Sequence, residues 1–143
     1  MKRATILGFL MLITGCSATN NVSFVTQPCL KPYDKFDFEL GSDFVVMVNE
    51  RIFIVPKDFI TDLASVPRVM WSLYPPNDSR TIRASIIHDY LYSGVAKITR
   101  READTILFDA LISQGVSKYT AFKYWAAVRL FGRSHFKQNK NKD

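Results

Sequence analysis

The sequence predicts an α+β domain, a small antiparallel sheet of about three strands packed with three main helices. Two patterns predict it. Phe36–Leu40, Phe44–Val48 and Arg51–Val55 are β-branched and aromatic, or alternate apolar with acidic residues, as half-buried strands do. From about Arg80 onward, apolar residues recur three and four apart, and the runs are broken at Gly94, Gly115 and Gly132. A helical majority packed on one small sheet is an α+β architecture. The length of 143 residues suits one domain, and a chain that is 48% hydrophobic and 22% charged is globular rather than disordered.

The chain opens with the basic pair Lys2 and Arg3, a short apolar run from Ile6 to Ile13, and then Leu12-Ile13-Thr14-Gly15-Cys16. The run is too short to span a bilayer, which needs ~20 residues, and has the form of a secretory signal with a small-residue cleavage site. The stretch resembles the lipobox of bacterial lipoproteins. That resemblance implies that residues 1–15 are removed and that Cys16 is acylated, which anchors the chain to a lipid bilayer. Ser17 in the next position, where aspartate is absent, implies sorting to the outer membrane, on its periplasmic face. Residues 16–29 are polar and rich in Asn, Ser and Thr, the composition of a flexible tether. With Cys16 lipidated, Cys29 has no partner for an intramolecular disulfide and is expected to be a buried, inert thiol. The folded domain is then expected over 30–132, with a solvated basic tail over 133–143. The formal charge of +6, which falls to +4 (6 − 2) once Lys2 and Arg3 are removed, is a modest basic excess that suits an anionic surface. The export signal argues against nucleic acid as a partner and leaves the bilayer, an envelope protein or peptidoglycan.

Within the strand region, Asn49-Glu50 forms a plausible two-residue hairpin turn, and Pro56 ends the third strand because it cannot donate to a ladder. Thr61-Asp62-Leu63-Ala64-Ser65-Val66-Pro67 follows as a loop or single turn. Thr61, Asp62 and Ser65 can each cap it through a side-chain oxygen. Alternatively, Asp62 points into a site as a metal ligand or as the group that orients His88, or Ser65 is a nucleophile with His88 as its base. No nucleophile elbow surrounds Ser65. Val69–Tyr74 is apolar and stops at Pro75-Pro76, which fits a short turn or helix.

Asn77-Asp78-Ser79 signals a helix start, and the first main helix is expected from about Arg80 to Ser93. It carries Ile86-Ile87-His88-Asp89-Tyr90-Leu91-Tyr92. Apolar residues cover most of its circumference, with His88 and Asp89 at the two borders, about 100° apart. A histidine and an acid in a buried helix need partners. Thr99-Arg100-Arg101-Glu102 is a capping box that opens the second helix. Asp104 lies on the edge of that helix's apolar stripe and is a candidate partner for His88, whereas Asp109 is expected to face solvent. The third helix is expected from Ser117 to about Phe131. Tyr119, Phe122, Trp125, Ala126 and Arg129 lie at helical spacing on it, and this aromatic stripe is expected to be core. Arg129 could pair with an internal acid.

The motifs Phe59–Pro67, His88-Asp89-Tyr90-Leu91-Tyr92, Ala103-Asp104 and Val128-Arg129-Leu130-Phe131-Gly132, in this order, resemble the phage and bacterial family called domain of unknown function 1353. The likeness runs from about Phe36 to Gly132. It implies a fold and a phage or prophage setting rather than a reaction.

Two functional expectations follow. In one, the chain is a non-enzymatic envelope lipoprotein with a binding or exclusion role, and the same polar cluster, His88 with Asp62, Asp89 and Asp104, together with Thr61, Ser65, Tyr92 and Arg129, forms a buried network that fixes helix packing. In the other, it is a small hydrolase acting on peptidoglycan or lipid. His88, Asp62 and Asp104 are then the catalytic candidates, and Asp62, His88, Asp89 and Asp104 the candidate ligands of a divalent cation that activates water. The His-Asp-x-x-Tyr order also resembles the active-site helix of secreted phospholipases A2, which implies His88 as base and Asp89 as a calcium ligand. This chain lacks that family's glycine-rich calcium loop and disulfide framework. The hydrolase expectation requires a solvent-open pocket, with His88 and at least two of Asp62, Asp89 and Asp104 within ~4–6 Å of one another.

Overall fold

The computed structural model describes residues 19–63 and 78–137. The fold is α+β, with two small antiparallel sheets and three helices. The first sheet has the order β1-β4-β5, formed by Val22–Phe24, Phe44–Val48 and Arg51–Val55. The second has the order β2-β3-β6, formed by Leu30–Pro32, Phe38–Leu40 and Ile60–Thr61. The second and third strands expected from the sequence are β4 and β5, and the first is shortened to β3. The single expected sheet is two because β3 pairs with β2 and β6 rather than with β4, and Thr61, expected in a loop, lies in β6. β1 lies inside the segment expected to be a tether, so ordered structure begins well before residue 30. A three-residue strand shows no readable period, and the partners of β1 lie some two dozen residues away, where Val22 pairs with Val48 and Phe24 with Val46.

β4 and β5 alternate as a half-buried hairpin should. Phe44, Val46, Val48, Phe53 and Val55 point into the core, while Met47, Ile52 and Ile54 point out. The turn between them is the expected one. Asn49 and Glu50 both have positive φ, 47° and 67°, the left-handed backbone that a two-residue turn matched to sheet twist requires. The turn is pinned to the start of the chain. Asn49 N–H donates to the Asn21 carbonyl at 3.0 Å, and Asn21 N–H donates to Asn49 Oδ1 at 2.8 Å.

The helices are α1 (Ser79–Tyr92), α2 (Arg100–Ser113) and α3 (Lys118–Phe131). Their caps are the residues that local chemistry favours. Asp78, Thr99 and Ser117 each accept a backbone N–H of the first turn through a side-chain oxygen. α2 is the central helix. It packs against α1, α3 and β1. Ile86, Ile87, Leu91, Ile106, Leu107 and Leu111 are fully buried between these elements.

Gly94 follows α1 with φ +83°, and an added Cβ would sit 2.6 Å from the Lys137 carbonyl oxygen. Alanine there combines left-handed backbone with a backbone clash. Gly94→Ala should therefore cost more than the ~1–2 kcal/mol of the conformation alone, measurable as a lower denaturation midpoint at unchanged slope.

Four further expectations change. Cys29 is exposed rather than buried. Asp109 is buried rather than solvent-facing, and its Oδ2 accepts both the N–H and the Nδ2–H of Asn20, at 2.9 and 2.8 Å. The tail is packed at least as far as Lys137. A 3-10 turn over Gly132–Ser134 leads Phe136 edge-on to the Tyr92 ring at 5.2 Å, and Lys137 N–H donates to the Tyr92 carbonyl at 2.9 Å. Finally, α3 buries Ala121, Tyr124, Ala127 and Val128, and leaves Tyr119, Phe122 and Leu130 exposed. The inward face of α3 combines small residues with Tyr124, while Tyr119 and Phe122 of the expected stripe face out and Trp125 is half-buried. Cys16, Ser65 and the Val69–Tyr74 segment lie outside the described residues.

Candidate functional site

Asp104 is the hub of the polar interior. It sits on α2 with its side chain fully buried, and it collects groups from all three helices. His88 and Tyr92 are four residues apart on α1 and so share a face. His88 Nε2 lies 3.1 Å from Asp104 Oδ1, and Tyr92 Oη donates to the same oxygen at 2.5 Å. Arg129 of α3 donates from Nη1 to Oδ2 at 2.8 Å. Arg100, one turn before Asp104 on α2, places Nε 3.8 Å from Oδ2. Its Nη2 also donates to the Val128 carbonyl at 3.1 Å and to the carbonyl of Arg129. One carboxylate thus ties α1 to α2 to α3.

Burial by itself would push the Asp104 carboxyl up. Hydrogen bonds from His88, Tyr92 and Arg129 together outweigh it and hold the group below the usual carboxylate range. Tyr92 is pushed the other way, first by burial and then by its bond to the Asp104 anion, so its phenol stays protonated. An ionised carboxylate only accepts. His88 Nε2 therefore carries the proton of that bond. The ring is 2% exposed and lies 4.1 Å, centroid to centroid, from that of Tyr92. Gly132 permits close approach over the same tyrosine, since a Cβ there would stand 3.1 Å from Tyr92 Oη.

Of the residues picked out by sequence, the structure brings together His88, Asp104, Tyr92 and Arg129. Asp89, half-buried, instead accepts from Thr61 Oγ1 at 2.5 Å, which joins α1 to β6. Thr61 Oγ1 in turn accepts the N–H of Leu63 at 3.2 Å. Asp62 is exposed at the end of β6. Among the described residues, no three His, Cys, Asp or Glu side chains are grouped so as to hold a metal ion. Sequence reasoning missed Arg100, Gly132 and Phe136. The i, i+4 spacing of Arg100 and Asp104 was the available signal for the first of these, whereas the closure over Tyr92 had none.

The fold and site thus define an α+β domain whose helices are fastened around one buried carboxylate. Residues 38–128 match the family described as "Protein of unknown function (DUF1353)", and the chain belongs to that family. No curated protein and no solved structure matches it. Among the described residues, no helix is long and apolar enough to cross a membrane.

Proposed function

We propose that the chain is an envelope lipoprotein of phage or prophage type, anchored through acylated Cys16, with a binding or exclusion role rather than a catalytic one. The observation that carries the non-enzymatic reading is the burial of the His88–Asp104 pair. A general base must reach a substrate proton to within about 3 Å, directly or through one water. The imidazole here is enclosed, and the Asp104 charge is shared with two guanidinium groups and a phenol, an arrangement that packs helices. The anchor rests on the Leu12–Cys16 motif and the basic, apolar stretch before it.

The pairing of an imidazole with an acid also suits the second reading, a small hydrolase acting on peptidoglycan or lipid, in which Asp104 orients His88. His88→Ala separates the two. On the structural reading the variant loses ~1–3 kcal/mol of stability, because Asp104 and Tyr92 lose a buried partner. A variant that melts like the parent but no longer hydrolyses envelope material would overturn it. For the anchor, intact-mass measurement of the membrane fraction should show a mature chain beginning at Cys16 and carrying acyl mass. Cys16→Ser should abolish that mass and leave residues 1–15 attached to the chain. Recovery of an unmodified parent chain would refute the anchor.

A further inference from the structure

We propose that the outward face of α3 is a second membrane contact, a docking surface for anionic phospholipid. Tyr119, Phe122 and Leu130 are 70%, 55% and 74% exposed, and with Ala126 they form one stripe along the helix. On a 100° wheel, Lys118 borders this stripe on one side, next to Arg129 whose guanidinium is bound to Asp104, and Lys123 borders it on the other. Trp125 adjoins it, its ring stacked on Phe122 with centroids 5.6 Å apart. The buried side of α3, with Tyr124 and Val128, is directed the opposite way, against α2. The stripe is therefore additional to what the core requires.

Charge selects the occupant. Between Ala110 and Lys142 the sequence holds seven Lys and Arg residues and no Asp or Glu. A helix with Trp, Phe, Tyr and Leu on one strip, flanked by cations and lacking acids, matches a bilayer interface, where aromatic rings sit at headgroup depth and cations meet lipid phosphates. A neutral protein groove would have no use for cations on both flanks. The inference rests on the membrane setting proposed above but does not need the acyl chains. The six residue steps from Cys16 to Val22 could reach about 20 Å, short enough to keep the domain beside the bilayer.

The test uses the full chain carrying Cys16→Ala and Trp71→Phe, which leaves Trp125 as the single tryptophan. The apolar Ile6–Ile13 segment keeps every variant on vesicles, so co-sedimentation stays constant and the readout is local. Trp125 fluorescence should be quenched by brominated acyl chains in phosphatidylethanolamine–phosphatidylglycerol vesicles, and much less with phosphatidylcholine in place of phosphatidylglycerol. Phe122→Glu with Leu130→Glu should abolish the quenching. Lys118→Gln and Lys123→Gln, at surface positions that leave the fold intact, should lower the ratio of docked to undocked helix about fivefold for each lysine removed. Unquenched Trp125 on sedimented vesicles would overturn the proposal, as would quenching that ignores lipid charge. A vesicle-free dimer that the glutamate pair dissolves would assign the stripe to a second copy of the chain instead. An unmodified Cys16 in the parent chain, with quenching intact in the test chain, would remove the lipoprotein reading and leave this one standing.

Discussion

Replacing Asp104 with alanine should lower the melting temperature by about 10–20 °C, the largest loss expected from any single polar change in this domain. The reasoning runs through its partners. Removing one member of a buried ionic cluster costs ~3–5 kcal/mol, because the remaining members stay desolvated without compensation. For a domain of this size each kcal/mol moves the midpoint by about 4 °C. Here the survivors would be His88, Tyr92 and Arg100, together with the buried end of Arg129. Asp104→Asn should do nearly as much harm, since one oxygen becomes an amide donor facing donors. Arg129→Ala should cost less, because its side chain is 34% exposed and water can replace it. The pH dependence has a definite sign. Asp104 is held below its unfolded value, so its contribution is complete above about pH 4 and is lost as the pH falls through the folded pKa. Urea titrations at descending pH should show the parent losing stability below pH 4 more steeply than Asp104→Asn. Parallel curves would mean that the carboxylate carries no such load.

Phe44→Ala should cost ~3–5 kcal/mol, the usual penalty for removing a buried aromatic ring and leaving a void. Phe44 is fully buried on the central strand β4, opposite Val55, and its ring stacks on Phe24 with centroids 5.9 Å apart. The comparison is Ile54→Ala on the neighbouring strand. Ile54 is half-exposed on the other face of the same sheet, and its loss should change stability by about 0.5 kcal/mol or less. Equal effects in chemical denaturation would mean that the two faces of the sheet have been misassigned.

What the sequence disclosed, and what it hid, follows from how local each signal is. The β4–β5 hairpin was legible because its period, turn and terminating proline all lie within about a dozen residues. The capping residues were legible for the same reason, as each acts on a backbone group in its own first turn. β1 and β2 were hidden because pairing over a distance, and not composition, makes them strands. On α3, helical spacing identified residues that share a face but not the direction of that face. The inward face holds Ala121, Ala127 and the single aromatic Tyr124, and Tyr119 and Phe122 lie outward. In the site, Asp104 was legible as an acid on the edge of a core stripe, and His88 as a polar group in a buried helix. Asp89 was grouped with them because it adjoins His88, and Asp62 because it lies in the polar Thr61–Ser65 segment. Adjacent helical residues diverge by about 100°, so Asp89 meets Thr61 while His88 meets Asp104.

The bond from Asn20 to Asp109 joins positions 89 apart. A nascent chain therefore produces its first strand long before the helix that receives it. Closing a loop of that length costs about 4 kcal/mol of chain entropy beyond the fixed initiation term. That cost is recovered only when β1 and α2 are both present. The domain is consequently expected to fold after synthesis and as one cooperative unit, and its N-terminal end should settle into place among the last.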